Sequence, residues 1–398
     1  MNFKELNEYF KSTYSQDELG TSFMNLDLPH RKMEAWKYVP VSKIKIPLND
    51  EGSFNSAKDF IQANLVNGID SIVIENGKLN SEISNFDSSV WTINDEVSLR
   101  EDRGDFWSQS SELLSDTQIS LQVTEGKEAK PLQILNYASS DSRSIVKLVI
   151  EMEKNATACV YYKSMAVTDE SFSGLVSDFN LAAKSKLQFY KNNGGEVRSQ
   201  SMDEAEVNQA ESSVFEYFQL DTGFELYRSN LIINLDGEKA ESHLKGFYLS
   251  SEHQFINHHI VVNHNVPHTH STQLFKGILD DTSRVVFDGL VYVGEGSVGT
   301  DSEQLNKSIL LTNFAEIVSR PQLEIYNDDV TCAHGATMGS FDEDELFYLQ
   351  ARAIPRDQAL QMLALGYAED VISFIEIKSV HDDVQAEFLR KFKTVKVD

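Results

Sequence analysis

From Leu226 onward the chain sets down short apolar strand candidates at an almost even pace, with no helix between them. Their starts fall near Leu226, Glu241, Gln254, Thr269, Ser283, Ser308, Glu316 and Asp329. Most gaps are roughly 13 to 16 residues, with one longer and one shorter. Turn residues separate them: Asp236-Gly237, Asp280-Asp281, Gly294-Glu295-Gly296 and Asn327-Asp328-Asp329. Strands spaced this way cannot each bury a face alone. Stacking them as successive coils of a β-solenoid, a β-helix, buries one continuous core. A large β-sandwich is the competing arrangement. Alternation does not separate the two, because a segment such as 230–235 (Asn-Leu-Ile-Ile-Asn-Leu) suits either.

The strand texture begins near Pro131, with 144–150, 157–162 and 185–190 as early strands. Before it, the chain reads as a helical and mixed region over 1–130. Phe3, Leu6, Tyr9 and Phe10 fall at helical spacing, and Ser22 or Asn25 would mark turns. The basic, aromatic stretch 31–40 (Arg-Lys-Met-Glu-Ala-Trp-Lys-Tyr-Val-Pro) predicts a short helix that packs Trp36 and Tyr38 on the next domain and ends before Pro40. A helix over 57–65, a strand over 71–74 and a turn at Asn76-Gly77 follow. After the β region (131–340), 341–398 reads as a helical domain. Acidic residues 342–345 suit a helix first turn, with Leu346, Leu349 and Ala353 at helical spacing. Residues 354–357 form a turn, and Asp357 is placed to cap a second helix, with the tail helical to about Phe392.

The 398 residues are enough for a sizeable core. A net charge of -27 repels phosphate backbones and anionic lipid, which argues against nucleic acid and membrane partners. Two cysteines, Cys159 and Cys332, make no disulfide framework and fit a reducing cytoplasm. The first residues do not read as a signal peptide, and no apolar run approaches a membrane span.

The chemistry-bearing segment is 329–340 (Asp-Val-Thr-Cys-Ala-His-Gly-Ala-Thr-Met-Gly-Ser). In extended backbone Cys332 and His334 share a face, and Gly335 would permit a sharp turn after them. Thiolate and imidazole suit soft or borderline metals. The plainer alternative is a strand end with a buried cysteine and a hydrogen-bonded histidine. A second cluster, His253, His258, His259, His264, His268 and His270, includes the pair His268 and His270, expected on one strand face. With His264 they would make a histidine metalloenzyme; the alternative is hydrogen-bonded histidines facing core and solvent in turn. Cys159, in an apolar strand, reads as core. The loop 294–299 is read as a turn, since it lacks the Lys-Ser/Thr ending of a phosphate loop.

The runs 321–325, 328–339 and 342–354, together with 31–38, 276–277 and 287–289, are similar to the SufB/SufD family of iron–sulfur cluster assembly proteins. The resemblance spans essentially the whole chain. The SufD branch fits better than SufB, which is usually longer and richer in cysteine. Membership implies a mainly β fold: a right-handed parallel β-helix core flanked by an N-terminal helical (α/β) region and a C-terminal helical domain. It implies a scaffold rather than an enzyme. Such a subunit pairs with SufB and docks the ATPase SufC through its C-terminal helices. His334 would be a ligand of a transient nascent iron–sulfur cluster shared with SufB, with Cys332 a weaker candidate and no cofactor in the isolated chain. Alone, the chain would expose the surface meant for SufB, which points to a homodimer. One departure stands out: the family often has Arg-Gly-Ile where this chain has Arg352-Ala353-Ile354. A β-helix enzyme acting on polysaccharide is the reading from another class.

Overall fold

The computed structural model describes residues 1–14, 26–48, 58–94, 97–100, 104–138, 142–166, 168, 170–195 and 198–393. The turns expected at Ser22 and Asn25 lie outside these residues. The strands are β1 (Asp70–Glu75), β2 (Lys78–Leu79), β3 (Trp91–Asn94), β4 (Thr117–Val123), β5 (Leu132–Ala138), β6 (Arg143–Met152), β7 (Thr157–Ala166), β8 (Phe172–Leu181), β9 (Lys186–Gly195) and β10 (Gln200–Gln209). They continue as β11 (Val214–Asp221), β12 (Leu226–Leu235), β13 (Glu241–Ser250), β14 (Phe255–His264), β15 (His270–Leu279), β16 (Arg284–Val293), β17 (Thr300–Leu310), β18 (Glu316–Ile325) and β19 (Val330–Gly339).

Successive strands alternate between two sheets. The first runs β19-β17-β15-β13-β11-β9-β7-β5-β1-β2 and the second β18-β16-β14-β12-β10-β8-β6-β4-β3. From β4 and β5 onward every neighbour pairing is parallel. One coil is therefore two strands and two corners, and the solenoid rather than the sandwich is the fold. β1 and β2 form an antiparallel hairpin whose turn is Asn76-Gly77, with φ of 50° and 79°, the two positive values that a tight hairpin turn needs.

The corners explain the even pace. Asn155, Lys184, Ser212, Lys239 and His268 each lie two residues before a strand of the first sheet, and each has φ between 55° and 61° or so close to it that the chain turns the same way. Glu170, Arg198 and Phe224 do the same two residues before strands of the second sheet. The amides of Asn155, Lys184, Ser212 and His268 reach into the next coil, as in Lys184 N to Glu211 O at 2.9 Å and His268 N to Val298 O at 2.8 Å. The expected start at Ser308 is corrected to Thr300. The loop after β16, which contains Gly294, Gly296 and Gly299, hides that start, because its corner residue is Gly299 (φ 71°) placed one residue before the strand.

Inside the coils, side chains such as Ile134, Leu148, Phe179, Phe189, Leu231 and Val262 form the main core. A polar cluster lies within it: Tyr227 OH donates to Asp203 at 2.7 Å, Lys191 pairs with Asp203, and His258 Nε2 lies 3.2 Å from Asp221. On the outer face of the second sheet a file of asparagines links four coils, Asn180, Asn208, Asn234 and Asn263, at 2.9–3.0 Å per step. Such ladders repeat because in-register parallel strands put identical groups one rung apart.

Each sheet is covered on its outside. On the second sheet lie α1 (Phe3–Thr13), the short 3-10 turns Glu34–Trp36 and Val41–Lys43, and α3 (Phe106–Leu113), sharing a core with Ile145, Val176, Met202 and Val286. The helix α2 (Lys58–Ala63) packs Ile61 beside Val73 and Leu135. The stretch 31–40 is thus a 3-10 turn rather than the expected helix, but it does bury Trp36 completely. Trp36 lies under the Arg228 guanidinium (4.2 Å to the ring centroid) and donates Nε1–H to Asp105 at 2.7 Å.

The first sheet is covered by the C-terminal helices α4 (Glu343–Gln350), α5 (Arg356–Ile372) and α6 (Lys378–Phe392). Among the described residues these are three helices, the tail expected to be helical to about Phe392 being the third. Asp342 caps α4, accepting from Asp344 N at 2.8 Å. Asp357 does not cap α5; the chain enters that helix through Pro355, so Asp357 sits in its first turn. Val371, Val380, Val384 and Phe388 pack on Tyr161, Phe218 and Phe247. Lys163 and Lys276 fasten the helices through Asp383 and Asp370, each at 2.8 Å.

Candidate functional site: the open end of the solenoid

β17 pairs on both sides, whereas β18 and β19, the last strands of their sheets, each have a neighbour on one side only among the described residues. Among the described residues no further coil covers them. Their residues are half-buried or exposed throughout, in contrast to the buried alternation of β14 to β17. Apolar groups stand free at this end, including Met338 at 65% and Tyr326 at 57% exposure.

Cys332 and His334 lie in the middle of β19. Gly335 is not a turn: it is a mid-strand residue opposite Leu305, because the ladder to β17 runs on through it to Gly339. The segment is a full strand rather than a strand end. Cys332 stands in register with Ser302 and His334 with Gln304. Ser302 and Gln304 are buried, inward-facing side chains, and residues in register on parallel strands share a face. The thiol and imidazole therefore stand together on the inward face of the last rung. Beneath them is a hydrogen-bonded stack: Ser302 Oγ to Ser271 Oγ at 2.9 Å, Gln304 Nε2 to Gln273 Oε1 at 3.1 Å, and Ser271 Oγ to His264 Nε2 at 2.9 Å.

The two groups differ in access. His334 is exposed, while Cys332 is half-buried. Burial, and then the negative charge of Asp301, push the Cys332 thiol above its ordinary value. The imidazole is the readier ligand, since the thiol must first lose a proton that its surroundings hold. Cys159 lies under the C-terminal helices with its thiol pushed up to about 12, chiefly by burial and then by Glu376 and Glu216, and it packs as core.

The second histidine cluster does not assemble as a ligand set. His268 is a corner residue with φ 59° and precedes the strand, so it does not share a strand face with His270. His264 points inward, fully buried between Thr269 Oγ1 (2.7 Å) and Ser271 Oγ (2.9 Å), and burial lowers its pKa to about 4. His270 lies on the outer face beside Asp301 at 3.4 Å. His253 meets Thr282 in a turn, and His259 meets Asn230 on the outer face of the second sheet. The solvent-or-core alternative describes them. Sequence reading passed over the buried Lys191, Asp203, Asp221 and Tyr227. They belong to distant segments, and only the coil register brings them together.

The site is thus a two-sheet parallel solenoid, flanked by helices from both ends of the sequence, with an imidazole–thiol pair on the last rung of the first sheet. The description "SUF system FeS cluster assembly, SufBD core domain" matches residues 135–367, more than half of the chain. The chain belongs to this family. It is 26% identical to the iron–sulfur cluster assembly protein SufD of Escherichia coli K12, over 94% of this chain and 92% of that one. It is 24% identical to the SufBD family protein slr0076 of Synechocystis, covering 89% and 86% of the two chains. The chloroplast protein ABCI7 of Arabidopsis thaliana is 33% identical over 45% of this chain and 38% of its own.

Proposed function

We propose that this chain is a SufD-type, non-catalytic scaffold subunit. In this reading it pairs with a SufB partner through the open end and contributes His334 to a nascent iron–sulfur cluster, the cargo of the complex. The observation that carries it is the uncapped last coil, on which Cys332 and His334 stand. An unpaired ten-residue strand edge invites another strand, and β18 and β19 offer two such edges side by side. A cluster held by one imidazole here and thiolate across the interface is held less tightly than on four thiolates, which suits a cargo that must leave.

The C-terminal helices support the docking of a SufC ATPase. Phe347 and Tyr348 on α4 and Met362 on α5 are exposed at 71%, 57% and 52%, large apolar side chains on a surface otherwise rich in acids. Because Asp370 and Asp383 fasten α5 and α6 to the first sheet, a pull on the helices would reach the strands that end beside the site. The test is iron and acid-labile sulfide in an anaerobically purified complex with SufB and SufC, wild type against His334→Ala. Loss of both from an intact complex is expected. Unchanged loading would leave the chain a structural partner only.

A further inference from the structure

His243 and His270 have no part in the scaffold reading, yet the coil register sets them together with two acids. Glu241, His270 and Asp301 occupy one rung across β13, β15 and β17. His243 lies two residues along β13 from Glu241 and so on the same outer face. His243 Nε2 is 3.3 Å from Glu241 Oε2, and His270 Nδ1 is 3.4 Å from Asp301 Oδ2. The two rings stand with centroids 5.5 Å apart, inclined by 55°. Thr272 on the intervening strand touches His243 Nδ1 at 3.0 Å and orients that ring.

Two imidazoles that bind one ion at about 2.1 Å with a near-tetrahedral angle hold their centroids about 5 Å apart. The observed separation is close to that without any movement of the strands. As they stand, the groups form two imidazole–carboxylate pairs, and among the described residues no three such groups already surround a point. Bringing one carboxylate to both rings requires rotation of Glu241 or Asp301, whose side chains are 48% and 59% exposed. Two imidazoles with one carboxylate are the donor set that non-haem Fe(II) takes. The chain's charge of -27 raises the local concentration of cations. Asp301 also lies near enough to Cys332 to raise the pKa of its thiol, so the rung abuts the open end.

We propose that His243 and His270, with Glu241 and Asp301, form a surface site for one ferrous ion, separate from the cluster ligand assigned to His334. The site stands on its own geometry and does not require the His334 reading to hold. The experiment is anaerobic titration of the purified full-length chain with Fe2+, with Co2+ and its visible absorption as the coordination probe. Wild type is compared with His243→Gln, His270→Gln and His334→Ala, each checked for an unchanged thermal transition. One equivalent is expected in wild type and in His334→Ala, with binding weakened at least about tenfold in either glutamine variant. Absence of a saturable equivalent in wild type overturns the proposal, as does affinity unchanged in His243→Gln or His270→Gln. An equivalent lost in His334→Ala alone would put the ion at the open end and overturn it too.

Discussion

Ala353 shows how one residue can be read in a sequence and weighed only in a structure. In Arg352-Ala353-Ile354, Ala353 sits at φ 63° between α4 and α5. An alanine there bears a left-handed strain that glycine escapes. Ala353→Gly should stabilise the helical region by roughly 0.5–1 kcal/mol, after the extra unfolded-state entropy of glycine is offset; chemical denaturation followed by far-UV circular dichroism checks it. Glu204 offers a pH test. It is buried beside Ser108 and Asn230, and burial, opposed by Arg228, raises its carboxyl to about 7. An acid with a raised folded pKa keeps its full stability below the ordinary carboxylate range and loses it as pH rises toward 7, by at most about 3 kcal/mol. Melting temperatures of wild type and Glu204→Gln should therefore diverge between pH 4.5 and 7, the variant holding flatter; parallel curves would place the penalty elsewhere. Cys332 and His334 were legible as a pair because period two fixes their shared face. The fates of His264, His268 and His270 were not, since a corner between them resets the count.

At the scale of elements, Trp36 is the largest of the buried side chains that anchor the N-terminal segment, beside Phe3, Leu6, Phe10, Ile44 and Ile46. Trp36 is fully buried under Arg228; polar ties add to it, with Lys43 O and Lys45 N both bonded to the Gln200 side chain at 2.9 Å and Glu34 paired with Arg320, a residue that also stands over the Tyr38 ring. Trp36→Ala should cost about 3–5 kcal/mol of docking energy. The expected result is early proteolytic cleavage within the first forty residues or so, while the β-sheet circular dichroism of the solenoid persists; resistance equal to wild type would show that the remaining buried residues and the Gln200 hydrogen bonds hold the segment without Trp36. The aromatic, basic composition of that stretch announced an anchor, but not a 3-10 turn, which arises from the surface it meets. Corner geometry was similarly hidden. Lysine, serine, asparagine and histidine fill the left-handed corners where glycine would have been readable, and stacked backbone hydrogen bonds between coils sustain them at a local cost.

For the whole molecule, the decisive fact is where the solenoid stops. Among the described residues, the hairpin β1–β2 and β3 lie at one end of the two sheets and no strand pairs beyond β18 and β19, which leaves an open face at the other end. The purified chain alone should self-associate through it, and Ile325→Asp with Met338→Asp should yield a monomer of unchanged fold. Light scattering after size exclusion decides this; a wild-type monomer would mean that the edges are blunted in solution. The sequence alone determined the period of the coils, the helical flanks, the family and the thiol–imidazole pair, because all of these follow from local alternation, spacing and motif. Tertiary structure decided the rest. It set which distant residues share a rung, which histidines face in or out, and which strands remain unpaired, since each depends on the register between coils about 29 residues apart and no local pattern encodes that register.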